Sequence, residues 1–379
     1  MDLSVVVPTL NGRDRLAACL DALAANAPDA EVIVVNGPSA DGTTGMVRDR
    51  GDVDVLVEIS DRTVNVARNA GIEVATGDAV ALVDYDNRIE PGWRDAVDDG
   101  LDAAPVASGP VTPIPPSEAD GAEAGVEADA ETDGPGTGSA VPDAADAADP
   151  SEPERSRIAG QDVTYFESGN VAFRRDALRD LDGFDEYLRV GGARDAAHRL
   201  ARMGIEVAWR PALAARKELP TPTAADGGRS ASEWGWKYRG LAYRLLKNYG
   251  VRPTVLLRTG SHALADAVAA AKDVVRGDST PTRWAATGRD VLLGLTGGTS
   301  DGLVARRRDR SPARNPNGVS TRADRAVAKY DRRAERDRGE AENGADGDSG
   351  ANDGGAEEGG AEEGGADGDG DRAAVDDAE

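Results

Sequence analysis

The chain has 379 residues, 39% of them hydrophobic, and a formal net charge of −25, enough apolar material for one large domain or two modest ones. The charge is concentrated: residues 118–154 hold 12 acidic and no basic residues, residues 339–379 hold 15 acidic residues against Arg372 alone, and the remainder is close to neutral. A single cysteine, Cys19, excludes an internal disulfide and a cysteine-based zinc site, and no apolar run approaches the roughly 18 to 20 residues of a membrane span.

"MDLSVVVPTL" enters a strand at once, Leu3 to Val7, stopped by Pro8. With no charged-then-apolar leader, the chain is expected to start out cytoplasmic. "NGRDRLAACLDALAANAP" follows, with Leu16, Cys19, Leu20 and Leu23 at helical spacing, so Cys19 reads as packing. "AEVIVVNGP" is a second strand and "DGTTGMVRDRG" opens a second helix. "VDVLVEI" is a third strand, "VNVARNAGIEVAT" a third helix and "AVALVDYD" a fourth strand. This alternation predicts an α/β fold whose mainly parallel sheet is flanked by helices. Ligands of such sheets bind beyond the carboxyl ends of the strands, where Asp84 and Asp86 fall, just before the Pro91–Gly92 break.

After "VASGPVTPIPP" the composition changes. Residues 117–154 contain no aromatic residue and only Val126 and Val141 as larger apolar ones, too little to repay the entropy of ordering. We expect residues 117–155 to be a disordered acidic insertion within a domain of residues 1–222, because globular patterning resumes at "DVTYFESGNVAFRRDALRDLDGFDEYL". Residues 230–275 read as amphipathic helices, with Lys237, Arg239, Arg244 and Lys247 opposite aromatic and leucine residues. Residues 276–338 form an arginine-rich segment, with 12 basic and 6 acidic residues from 301 onward, and 339–379 a disordered tail. Lysine is scarce: Lys217, Lys237, Lys247, Lys272 and Lys329 among 44 basic residues. This acid-rich, lysine-poor composition predicts a halophilic source, where the Debye length is roughly 3 Å or less and contact-range chemistry dominates.

Two carboxylates at i, i+2 share one face of an extended strand end. Their hard oxygens suit Mg²⁺ or Mn²⁺, which in turn suit a diphosphate. Asp84 and Asp86 are therefore candidate metal ligands, with a simple turn at "DN" as the alternative. Five blocks occur in order: "SVVVPTLNGRDRLAACLDAL", "AEVIVVNGPSADGT", "VARNAGIEVATGDAVALVDYDNRIEPGW", "ESGNVAFRRDAL" and "GFDE". Together, over roughly residues 1–220 without the insertion, they resemble family 2 glycosyltransferases of the GT-A fold. They are most similar to archaeal enzymes of lipid-linked glycan assembly for protein N-glycosylation.

The resemblance implies roles at matching positions. Pro8, Thr9 and Asn11 would line the nucleotide pocket, and Asn36 stands where the family carries an aspartate near the base and ribose. Arg68 and Asn69 would sit near the diphosphate, and Asp84 and Asp86 match the D-x-D motif. Glu167, Gly169 and Asn170 match the loop facing acceptor and donor sugar. The family's acidic pair, its general base, falls on Gly192 and Ala193, which leaves Asp195 as the nearest carboxylate. Asp195 is either that base or a helix cap paired with Arg199, with Asp185 and Glu186 in reserve. His198 reads as packed or solvent-facing and Trp93 as a lid over the core. Trp234 and Trp236 fit either membrane-interface or core packing.

The implied activity is inverting transfer of a sugar from a nucleotide-sugar donor to a dolichyl- or polyprenyl-phosphate-linked glycan. It would use Mn²⁺ or Mg²⁺, at the inner face of the cell membrane, with the amphipathic helices and basic segment on an anionic lipid surface. A scaffold that only holds a nucleotide sugar is the alternative. Nucleic acid is not an expected partner. A nucleotidyltransferase wants a Gly-rich basic loop that "PTLNGRDR" is not, and no G-x-G-x-x-G follows the first strand for a dinucleotide enzyme.

Overall fold

The computed structural model describes residues 1–114, 152–218, 231–276 and 280–333. The acidic insertion up to residue 151 and the acidic tail lie outside them. Four short apolar runs become the centre of an eight-stranded sheet: β1 (Leu3–Thr9), β2 (Glu31–Asn36), β3 (Val55–Ile59) and β4 (Ala79–Val83). They pair in parallel, in the spatial order β4-β1-β2-β3. The last three are each reached through a helix: α1 (Arg13–Asn26), α2 (Thr43–Asp49) and α3 (Val64–Val74).

Beyond β4 the sheet turns mixed. β10 (Asn170–Arg174) runs antiparallel to β4 and to β6 (Val106–Ser108), and β11 (Val207–Trp209) lies parallel to β6 at the edge. Between them the chain forms α4 (Trp93–Ala103), α5 (Arg175–Leu181) and α6 (Gly192–Met203). A smaller sheet, β5 (Asn87–Ile89), β12 (Ala215–Glu218) and β7 (Val111–Ile114), stands beside the end of β4. The hairpin of β8 (Arg155–Ile158) and β9 (Gln161–Thr164) turns at Ala159 and Gly160, φ 53° and 88°, the paired positive values a tight two-residue turn demands.

Side-chain alternation along β1 divides the core. Val5 and Val7 join Leu16, Leu20 and Leu23 of α1 and Trp93, Val97 and Leu101 of α4 on one face. Val6 joins Val66 and Ala70 of α3, Leu178 of α5 and Leu200 of α6 on the other. All of β1 is buried, which is why it reads as a continuous apolar run rather than an alternating one.

The C-terminal region is a second helical layer: α7 (Ala231–Tyr249), α8 (Pro253–Arg276) and α9 (Pro281–Arg308). α7 buries Tyr238, Leu245, Leu246 and Tyr249. Trp234 packs beside them, stacked on Tyr238 at 6.4 Å, which places it in the core rather than at an interface. α9 meets α7 backbone to backbone. A Cβ on Gly294, Gly298 or Gly302 would fall 2.3, 2.2 or 2.6 Å from the carbonyl oxygens of Gly235, Arg239 and Tyr243, so three glycines one turn apart set that approach.

The arginine-rich segment is not a separate basic patch. After α9 it crosses back, makes a short 3₁₀ turn (Val319–Thr321), and ends as β13 (Ala326–Asp331), antiparallel to β3 at the sheet edge. Three of its arginines are used internally. Arg325 is 3% exposed and bonds Glu186 and Glu73, Arg333 bonds Glu31 at 2.8 Å, and Arg332 donates to the carbonyls of Arg48 and Arg50. Residues 1–333 form one compact unit.

Candidate active site

β4 leaves the sheet at Val83, and Asp84 and Asp86 follow, 6% and 9% exposed. Asp84 is fixed from two sides. Arg68 Nη2, on α3, donates to Asp84 Oδ1 at 2.9 Å and to Ser168 Oγ at 3.0 Å. The Asp84 amide donates to the Gly169 carbonyl at 3.2 Å, and Asn87 Nδ2 donates to the same carbonyl at 2.7 Å. Gly169 has to be glycine, since a Cβ there would sit 2.4 Å from Asp84 Cγ. Arg68 therefore clamps the first aspartate to the 167–170 loop.

Asp86 is more open in its bonding. Lys217 Nζ, from β12, lies 3.4 Å from Oδ2, while Oδ1 is buried with no hydrogen-bond partner. Burial raises the Asp86 pKa; Lys217 opposes this and Asp84 adds to it. Glu167 is in a similar state. Burial pushes its carboxyl up against the pull of Arg194 and Lys217, and Asp84 pushes further. Among the described residues no hydrogen-bond donor reaches the Glu167 carboxylate.

On the other side of Asp84 the ends of β1 and β2 are latched together by neutral groups. Pro8 is buried, and Thr9 is 5% exposed with Oγ1 buried and unpartnered. Asn36 donates from Nδ2 to Thr44 Oγ1 at 3.0 Å and accepts from Ser39 Oγ at 2.7 Å. Asn11, at φ 52°, accepts from the Ala40 amide at 2.8 Å and donates its own amide to Ser39 Oγ at 2.9 Å. The Tyr85 ring lies on Gly12, where a Cβ would fall 2.2 Å from it, with Arg15 above the ring at 5.2 Å. The result is a shallow polar wall next to the aspartates.

Three expected site residues are placed elsewhere. Asn69 spends its side chain on the loop before α6, donating to Phe184 O and Glu186 Oε1 at 2.8 Å each and accepting from the Phe184 amide at 2.9 Å. Asn170 accepts from Trp93 Nε1 at 2.8 Å and donates to Leu213 O at 2.8 Å, which anchors β10 and makes Trp93 core. Asp195 is wholly buried. Its Oδ2 receives Arg199 Nε at 2.9 Å and Lys247 Nζ at 2.8 Å, and its Oδ1 receives Asn248 Nδ2 at 2.8 Å. Burial would raise its pKa, but Lys247 and Arg199 outweigh it and hold the carboxyl below its usual range. A base must reach the acceptor hydroxyl; Asp195 is wholly buried with both oxygens bonded, and the pairing with Arg199 is formed.

Asp185 belongs to the same cluster, accepting from Lys247 Nζ at 2.6 Å and from Tyr243 Oη at 2.9 Å. The position of the family's acidic pair is filled: a Cβ on Gly192 would meet Asn65 Oδ1 at 2.5 Å. His198 is packed, bonded to Tyr249 Oη at 2.9 Å and edge-on to Tyr165 and Tyr249. Lys217 carries no local sequence signal of a place in the site. It lies on a strand distant in the chain, and the rarity of lysine is the only sign of it.

Residues 4–182 match the family model described as glycosyl transferase family 2. By this match the segment is similar to family 2 glycosyl transferases. The domain is similar to the uncharacterized glycosyltransferase YibD of Escherichia coli K12, 33% identical over 111 residues, 27% of this chain and 32% of that one. It is also similar to the glycosyltransferase AglE of Haloferax volcanii, 31% identical over 98 residues, 24% of this chain and 32% of that one. The match spans about a third of the length of these two relatives. Among solved structures, Staphylococcus aureus TarS 1–349 in complex with UDP-GlcNAc superposes with a TM-score of 0.50 at 14% identity, over 81% of this chain and 91% of that one. The likeness is one of fold: the mixed sheet and its helices are the GT-A fold.

The buried charge cluster makes a testable demand on stability. Replacing Lys247 by methionine leaves Asp185 and Asp195 facing each other without a cation between them, and breaking such a buried group costs about 3–5 kcal/mol. The denaturant midpoint of Lys247→Met is expected to fall accordingly; a midpoint within about 0.5 kcal/mol of wild type would show that the cluster holds nothing together.

Proposed function

We propose that the chain transfers a sugar from a nucleotide-sugar donor to a lipid-linked glycan, in one inverting displacement at the end of β4. The observation that carries this reading is Asp86, whose Oδ1 is buried and unpartnered in a segment similar to family 2 glycosyl transferases. No group of three or more His, Cys, Asp or Glu residues that could hold a metal gathers among the described residues. Two aspartates with one unpaired oxygen nevertheless fit an ion whose remaining ligands are phosphate oxygens. Asp84 and Asp86 would hold Mg²⁺ or Mn²⁺, which neutralises charge on the leaving diphosphate.

The chain's own residues supply the rest. Thr9, Asn11 and Asn36 line the nucleotide side, Arg68 holds Asp84 in place, and Lys217 adds a cation beside Asp86. Glu167 takes the role expected of Asp195. It accepts the proton of the acceptor hydroxyl as that oxygen bonds to the sugar's anomeric carbon and the bond to the diphosphate breaks. Its support is its place on the loop pressed against Asp84, its freedom from hydrogen bonds and its raised pKa, which brings a base nearer to working pH.

The lipid side of the reading draws on α8 and α9. Leu257, Leu264 and Val268 of α8 are 73%, 66% and 47% exposed, and Leu292 and Leu293 of α9 are 64% and 62% exposed. On α8 these residues recur at i, i+7 and i+11, one helical face. No helix among the described residues is long and apolar enough to cross a membrane, so this face would lie on the inner surface of the bilayer.

Calorimetric titration of nucleoside diphosphates with Mn²⁺ tests the donor site. Metal-dependent binding is expected in wild type and lost in Asp86→Ala; absence from both, with circular dichroism intact, defeats the transferase reading. Glu167→Gln is expected to bind donor normally but to lose roughly 10²–10⁴-fold in kcat. Wild-type kcat/KM should rise with pH through a value above the usual glutamate range, because the base acts only when deprotonated. Donor binding with no transfer to any lipid-linked acceptor returns the chain to the scaffold alternative. For the membrane face, co-sedimentation with anionic vesicles should weaken at least about tenfold in Leu257→Asp/Leu264→Asp, and unchanged partitioning would remove that face from the account.

A further inference from the structure

Lys247 and Lys217 both meet buried aspartates, on different terms. Lys247 Nζ stands 2.6 Å from Asp185 Oδ2 and 2.8 Å from Asp195 Oδ2, the spacing of a charge-assisted hydrogen bond. Lys217 Nζ stands 3.4 Å from Asp86 Oδ2, and Asp86 Oδ1 is buried with no partner among the described residues. The first pairing is closed and the second is loose. The Lys217 and Asp86 side chains are only 19% and 11% exposed, so salt screens their attraction little.

The backbone fixes where that ammonium comes from. β12 lies against the turn that carries Asp86, since the Glu218 amide donates to the Asp86 carbonyl at 2.9 Å. Lys217 stands opposite Asn87 in the antiparallel register of β12 and β5. Opposed residues in such a pair share one face of the sheet, with Cβ atoms about 4.5–5.5 Å apart. Asn87 is 2% exposed; its Nδ2 is committed to the Gly169 carbonyl at 2.7 Å, while its Oδ1 is buried and unpartnered among the described residues. Two neighbouring residues, Asp86 and Asn87, therefore each keep one buried oxygen without a donor, and the strand paired with them delivers a lysine.

An ammonium thus already stands at the carboxylate proposed to hold a divalent ion. Two cations on one carboxylate repel each other, and Lys217 is the one that can yield, because its charge sits on a flexible four-carbon stem. A diphosphate bound at the same place offers that charge new oxygens. We infer that Lys217 is a resident counter-ion of Asp86 that gives way to the metal and passes to the donor's diphosphate, so that metal and nucleotide bind together rather than separately. The inference rests on the transferase reading above and adds a binding order to it. The bare ion is held weakly because Lys217 opposes it, and the nucleotide supplies the anion that draws Lys217 off the aspartate.

The test follows free Mn²⁺ by electron paramagnetic resonance as the full chain is titrated with the bare ion in molar potassium chloride. Calorimetry with a nucleoside diphosphate at saturating Mn²⁺ is the second readout. Lys217→Met and Lys217→Gln are expected to bind the bare ion about tenfold more tightly than wild type and the nucleoside diphosphate about tenfold more weakly. Lys217→Arg, which keeps the charge, should lie closer to wild type in both, and the glutamine variant carries the comparison if methionine disturbs the fold. Bare-ion affinity that is equal or lower in the two neutral variants overturns the inference and makes Lys217 a fixed partner of Asp86. Unchanged nucleoside diphosphate affinity in those variants overturns it as well, and so does bare-ion binding too weak to detect in every variant. Failure of wild type to bind the nucleoside diphosphate with Mn²⁺ counts instead against the transferase reading.

Discussion

One lysine ammonium between two buried aspartates sets the frame. Lys247, Asp185, Asp195 and Arg199 have fully buried side chains, and two anions against two cations leave the group neutral. Each oxygen and nitrogen is spoken for: Arg199 also donates to Leu181 O and Gly183 O at 2.5 and 2.8 Å, and Asn317 reaches Asp185 at 2.9 Å. Desolvating four charges is tolerable only when they satisfy one another completely. The cluster ties α6, the loop before it, α7 and the returning C-terminal strap to a single point. The start of α6, and with it Gly191 and Arg194, is positioned by that point.

Against this closed cluster, the open valences stand out. Among the described residues Asp86 Oδ1 and Thr9 Oγ1 are buried without partners, and the Glu167 carboxyl is desolvated without a hydrogen bond. Buried polar atoms are nearly always satisfied in folded proteins, so groups left wanting mark where another molecule completes the bonding. In the proposed transfer the first two would face the donor and the third the acceptor. Asp84 differs because Arg68 and the Gly169 loop already hold it, which makes it the fixed member of the D-x-D pair.

The C-terminal third serves both purposes. Its glycines bring α9 onto α7 at backbone distance, its arginines are drawn inward onto Glu186, Glu73 and Glu31, and β13 covers the edge of β3, which would otherwise expose unpaired backbone. The outer faces of α8 and α9 expose leucine, valine and Trp284. Any attraction to lipid would therefore rest on apolar area more than on a free basic patch. In strong salt that is also the more durable attraction.

Local pattern alone determined the alternation of strands and helices, the parallel centre of the sheet, and the place of Asp84 and Asp86 at the end of β4. Each of these follows from hydrophobic periodicity and chain order within a few tens of residues. Cys19 and His198 were legible as packing for the same reason. Whether a polar residue serves the site or the frame was not legible, because that depends on partners far along the chain. Asn69 and Asn170 carry the right side chains in the right blocks, yet the GFDE loop and Trp93 claim them. Asp195 looks available until Lys247 arrives from α7. Lys217 gains meaning only when β12 brings it to Asp86. Sequence spacing specifies which way a side chain leaves its own helix or strand, whereas burial and charge pairing are decided by what packs opposite, and only the tertiary structure decides that.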